Sequence, residues 1–121
     1  MAIHYNLALV FEQTQKQSVL IQNIVSNFIS EIPIQSKNII IAIKNKQYDY
    51  VLVLAEKIKP KLELMGMTIA HEEIIEVQNW ALHQRKRKEI MAIIKSIDEK
   101  ILKAVKEMSK DFGIHEIAIK S

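Results

Sequence analysis

The stretch "SVLIQNIVSNFISEIPIQSKNIIIAI", Ser18 to Ile43, decides the fold class. In its first part Ile21, Ile24, Val25, Phe28, Ile29 and Ile32 recur at three- and four-residue intervals, the spacing of an amphipathic helix. Its end, "IIIAI" (Ile39 to Ile43), has the composition of a buried strand. A strand needs a partner, and no second strand of comparable quality is available to pair with it before the C-terminus. Ile39, Ile40 and Ile43 instead resume the helical pattern. Pro33 can end a helix or kink it; because the pattern resumes beyond it, one continued helix, bent at Pro33, is expected from Ser18 to about Lys46.

The segments on either side read the same way. "NLALVFEQT" (Asn6 to Thr14) predicts a short first helix with Asn6 as its N-cap. "NKQYDY" (Asn45 to Tyr50) is a polar break. A third helix runs from about Tyr48 to Met65, with Val51, Ala55, Ile58, Leu62 and Met65 inward and Gly66 closing it. Thr68 is the expected cap of a fourth helix, "IAHEEIIEVQNWAL", with Ile74, Val77 and Ala81 inward. A fifth spans "KEIMAIIKSIDEKILKAVKEMSKDF" and ends near Gly113. Its inner face is Ile90, Ile93, Ile94, Ile97, Ile101, Leu102, Val105 and Met108.

The expected fold is all-α: an antiparallel four-helix bundle with a short extra N-terminal helix. Residues 1–112 form the bundle. Residues 113–121, containing "IHEIAIKS", form a C-terminal tail, extended or disordered.

Composition agrees with that class. The chain has 121 residues, 49% of them apolar and 26% charged, enough for one globular core. Two glycines and two prolines leave little room for the turns of a β-sandwich. With no cysteine there is no disulfide, thiol nucleophile or thiolate metal site. No apolar run reaches the ~18 residues of a membrane span. The start "MAIHYNLALVFEQ" has neither a basic beginning nor a small-residue cleavage site, so no signal peptide is expected. A cytoplasmic location and no membrane contact follow as expectations.

Net charge is +3, and much of the excess sits in "RKRK", Arg85 to Lys88. A nucleic-acid footprint would want more clustering and stacking aromatics, so the run is read as a solvated helix face or loop. Neither nucleic acid nor a small molecule is expected as partner.

The segment "AEKIKPKLELMG", Ala55 to Gly66, resembles the signature of histidine-containing phosphotransfer (HPt) domains, the relay proteins of two-component signalling. That signature has alanine, histidine, any residue, leucine or isoleucine, lysine, then a small residue, and a glycine ten positions after the histidine. Ala55, Ile58, Lys59 and Gly66 stand where it puts them. "FISEIP" and "AIKNKQYDYVLVLA" upstream, and the helices downstream, resemble the family's spacing, from about Leu7 to Asp111. Two positions depart. Glu56 stands at the phosphoacceptor histidine, and Pro60 stands where a small residue usually follows the lysine.

What the resemblance implies is a bundle that binds a response-regulator receiver domain or a histidine kinase, as adaptor or competitor, without carrying phosphate. Its partner surface would be Leu52, Glu56, Lys57, Lys59, Pro60 and Glu63, with Lys57, Lys59 and Lys61 facing the acidic pocket of a receiver. A relay needs an exposed imidazole nitrogen that accepts the phosphoryl group in line, with positioning and electrostatics as the main catalysis. A glutamate does not supply it. Glu56 is either a surface residue paired with Lys59, worth about 0.3–0.5 kcal/mol, or a permanent charge that partly imitates phosphohistidine. The carbonyl of Glu56 loses its helical donor to Pro60.

The remaining candidates are weaker. His71 and His83 point about 120° apart on one helix, a poor geometry for a shared metal. "HEEII" lacks the second histidine of a zinc-protease helix. His4 and His115 lie near the termini, and Trp80 is expected to pack. No serine–histidine–acid set or glycine-rich phosphate loop is present, so no enzymatic site, metal or cofactor is expected. The alternative reading is a helical interaction module that binds nucleic acid or another acidic surface through "RKRK".

Overall fold

A computed structural model describes residues 2–83 and 87–114, without the side chains of residues 87 and 88. The described residues are all-helical, with no strand: α1 (Ala8–Thr14), α2 (Ser18–Lys44), α3 (Tyr48–Leu64), α4 (Thr68–His83) and α5 (Arg87–Phe112). α2 packs against α3 and α5, α4 packs against the same two helices, and α1 lies on α2. Three-residue turns at residues 45–47 and 65–67 join α2 to α3 and α3 to α4. Connections this short fold successive helices into hairpins.

The ambiguous run Ile39–Ile43 is helical. Ile39 and Ile43 are fully buried while Ile41 is 53% exposed. A strand would put all three on one face; a helix separates them. Pro33 does not end the helix, since α2 continues through it to Lys44. The ring removes the hydrogen bond to the Ile29 carbonyl, and the burial of Ile29, Ile32, Ile39 and Ile43 holds the helix together around it. Each such side chain contributes about 1.5–3 kcal/mol.

The predicted inner faces of α3 and α4 are buried, joined by Leu54, Ala70 and Trp80. On α2 and α5 the prediction was too generous. Ile24, Ile40, Ile93 and Leu102 are only half-buried, because they stand at the rim of the apolar stripe. Ala104, a small side chain, reaches full burial instead.

Four of the described helices end in the same way. At the end of α1, Lys16 N–H donates to the Phe11 carbonyl (3.1 Å) after Gln15 at φ 53°. Gln47 N–H donates to the Ala42 carbonyl (2.9 Å), Met67 N–H to that of Leu62 (3.0 Å) and Ile114 N–H to that of Ser109 (2.9 Å). The residues before them, Lys46, Gly66 and Gly113, have positive φ, the geometry of a Schellman close. Gly113 and Ile114 thus still fold back on α5, and the rest of the C-terminal segment lies outside the described residues. At the other terminus, α1 starts two residues after Asn6, whose Oδ1 accepts the Ala8 N–H at 2.8 Å. Asn6 caps the helix from one position further out than predicted. α4 begins at Thr68 itself, so Thr68 is its first helical residue rather than its cap.

Among the described residues no helix is long and apolar enough to cross a membrane.

Candidate functional site

α3 turns Val51, Ala55, Ile58 and Leu62 into the core. Its polar residues are left on the opposite arc by the 100° step of the helix. Glu56 lies on the α4 side of that arc, its side chain 68% exposed. Its Oε2 accepts a 2.7 Å hydrogen bond from Gln78 Nε2 on α4. Lys59 Nζ stands 3.4 Å from the same oxygen. An ion pair so exposed adds a few tenths of a kcal/mol at most. Its effect is to hold the carboxylate in one place at the seam between α3 and α4.

Two helical turns on from Glu56, Glu63 Oε2 is 3.9 Å from His71 Nε2 of α4. Leu52 is half-buried and packs on the core at the same edge. Leu52, Glu56, Lys59 and Glu63 therefore line one side of α3, facing α4. Lys57 and Pro60, grouped with them from the sequence, are exposed but stand further round the helix. Pro60 borders a cleft of about 300 Å³ beside α1, lined by Leu9, Gln13, Lys61 and Leu64. Lys61 is exposed and lines a second cleft with Glu31 of α2. Glu63 lines the cleft beside α1 as well, so the six residues run from the α4 seam round α3 toward α1.

Gln78 was not singled out from the sequence. A signal was nevertheless present. Glu56 and Gln78 are equally distant along the chain from Met67, and so are Glu63 and His71. A tight helical hairpin pairs residues symmetric about its turn.

The seam offers a fixed carboxylate, an ammonium and an amide. It can pair with a cationic or hydrogen-bonding surface, and it has no imidazole nitrogen at position 56 to accept a phosphoryl group. Among the described residues no three histidine, aspartate or glutamate side chains come together to hold a metal ion. His83 Nδ1 lies 2.8 Å from its own helix's Asn79 carbonyl. Trp80 is 6% exposed and packs on Tyr48, ring centroids 5.2 Å apart. His115 and most of the "RKRK" run lie outside the described residues, and the side chains of Arg87 and Lys88 do too.

In comparisons with protein-family models, curated proteins and solved structures, nothing matched the chain.

Proposed function

We propose that the chain is an HPt-like four-helix bundle that binds receiver domains, or a histidine kinase, as an adaptor or competitor and carries no phosphate itself. The observation that carries this reading is Glu56. It stands exposed at the middle of α3, 3.4 Å from Lys59 Nζ, at the position that resembles the family's phosphoacceptor. The packing of α2 and α4 each against both α3 and α5 supports the bundle arrangement.

A carboxylate in this setting is a poor phosphoryl acceptor. Acyl phosphates form where a metal and several carboxylates share the charge, and Glu56 is paired only with Lys59 and Gln78 among the described residues. The carboxylate instead gives a permanent single charge. Lys57, exposed next to it, and Lys61, exposed further round the helix, favour encounter with an acidic pocket, an effect on rate and selectivity more than on affinity. A cytoplasmic protein acting in two-component signalling fits this reading.

Incubation with a phosphorylated receiver, followed by intact mass measurement, is expected to leave the chain unmodified while titration detects the complex. Lys59→Glu is expected to weaken that complex, and Lys95→Glu on α5 to leave it unchanged. A stoichiometric acid-labile adduct on His71 or His83 would overturn the non-carrier reading. Equal loss from Lys59→Glu and Lys95→Glu would move the partner surface elsewhere.

A further inference from the structure

α5 carries lysines and carboxylates in similar number along its sequence, and the fold sorts them. Asp98 is buried at the α2 side, accepting from Ser36 Oγ at 2.9 Å and Lys37 Nζ at 2.6 Å. The Glu107 carboxylate is occupied by the backbone N–H groups of Ile3 and His4, at 2.8–3.0 Å. Asp111 accepts the Tyr5 hydroxyl at 2.8 Å. Three carboxylates of the helix are thus turned toward neighbouring segments, Asp98 paired with Lys37 and Glu107 and Asp111 bonded to neutral donors and keeping their charge. The exposed residues at helical spacing run from Glu89 and Ala92 at the start of the helix to Lys95, Lys103, Lys106 and Lys110, with Glu99 between them, bonded to Lys103 at 3.0 Å.

No described carboxylate pairs with Lys95, Lys106 or Lys110. α2 brings none to this side, because its one acidic residue, Glu31, lines the cleft with Lys61 and Leu64 of α3. From α4, Glu73 comes to the flank and pairs with Lys100 Nζ at 2.9 Å. The local field is visible at Glu99, whose carboxyl is held below its ordinary value, first by the Lys103 hydrogen bond and then by the charges of Lys103 and Lys100.

We infer that the outer face of α5, built on Lys95, Lys103, Lys106 and Lys110, is a docking surface for the phosphate backbone of a nucleic-acid duplex, bound without regard to sequence. Lys95 to Lys110 spans about 22 Å of rigid helix, a length over which a duplex carries on the order of a dozen charges. Lysines meet phosphates as point charges and lack the planar fork that reads base edges. Stacking on single strands requires exposed aromatics, and no exposed aromatic or other large apolar side chain lies among the described residues of α5. The same lack of apolar anchors disfavours insertion into a lipid interface.

The test is fluorescence anisotropy of the full chain with a labelled 20-base-pair duplex of mixed sequence, over a range of KCl. Engagement of three or four lysines predicts a slope of log K on log[salt] near about −3, or roughly 30-fold weaker binding on tripling the salt. Lys95→Gln/Lys106→Gln/Lys110→Gln is expected to lose about tenfold in affinity at low salt or more, with its helical circular dichroism unchanged. The charge-matched variant Lys16→Gln/Lys44→Gln/Lys46→Gln, at exposed lysines outside α5 and outside the proposed receiver surface, is expected to bind like the parent. A flat salt dependence, full affinity in the α5 variant, or equal loss in both variants overturns the inference. Binding to phosphatidylserine vesicles with none to the duplex overturns it too, and assigns the face to an anionic membrane. Receiver binding is a separate measurement, so neither result decides the other.

Discussion

Gly66 has to be glycine for two reasons that add. Its φ is +64°, and a Cβ built there would lie 2.6 Å from Asn6 Cβ and 3.0 Å from the Asn6 carbonyl oxygen. Asn6 cannot retreat freely, because its N–H donates to the Met65 carbonyl at 2.8 Å. Gly113 shares the backbone strain, with φ +63°, but has nothing within 4 Å. Gly66→Ala is expected to cost about 3 kcal/mol, left-handed strain plus overpacking, and Gly113→Ala about 1 kcal/mol. Urea unfolding of the two variants measures the difference, and equal costs would remove the role of the Asn6 contact. The residue at 56 has a different test. Glu56→His puts an imidazole on an exposed position with Lys59 one turn on, at a change in helix propensity of a few tenths of a kcal/mol. The proposed relay ancestry predicts partial phosphotransfer from a receiver to Glu56→His and faster transfer to Glu56→His/Pro60→Gly, since the proline ring crowds the approach. If neither variant takes phosphate from a receiver that binds the parent, the relay reading falls.

At the scale of elements, the pairing of α2 with α5 contains a polar contact inside an apolar seam. Ser36 is fully buried and Asp98 is 7% exposed, among Ile94, Ile97 and Ile101 on α5. Such a contact has one good register, since a shifted helix leaves a hydroxyl and a carboxylate unpaired in low dielectric. Lys37, its side chain 44% exposed, keeps the ammonium partly in water, so the pair avoids much of the desolvation cost of a fully buried one. Asp98→Ala is expected to cost about 2–3 kcal/mol, because it strands the Ser36 hydroxyl. Adding Ser36→Ala to it should cost little more, and additive losses in that double-mutant cycle would show that the two side chains do not act as a unit.

Across the whole molecule, the N-terminal segment acts as a strap. It reaches α5 through Glu107 and Asp111 and the turn between α3 and α4 through the Met65 carbonyl. Tyr5 is 6% exposed. Its phenol is pushed well above the ordinary value, chiefly by burial and then by the hydrogen bond to Asp111. A raised folded-state pKa contributes stability that is fully present below the unfolded value, about 10. That contribution is lost as pH rises from there through the higher folded value. Tyr5→Phe should therefore cost about 1–2 kcal/mol at neutral pH, and its stability should fall less steeply than the parent's above about pH 10. Parallel alkaline limbs in thermal melts of the two proteins would show that Tyr5 does not hold the strap.

Helix number, helix faces and most of the core were legible in the sequence, because a 3.6-residue period is a local property that each segment carries by itself. Even Ile39–Ile43 could be placed once no partner strand was found. Position 56 and its lysine were legible too, as neighbours on one helix. The tertiary structure decided which distant groups meet: Gln78 with Glu56, Ser36 with Asp98, Tyr5 with Asp111. It also decided that Lys57 and Pro60 stand apart from the α4 seam, and that three carboxylates of α5 serve internal contacts. These pairings depend on the register and rotation of one helix against another. That choice is made by the summed packing of whole faces, which no single stretch of the chain contains.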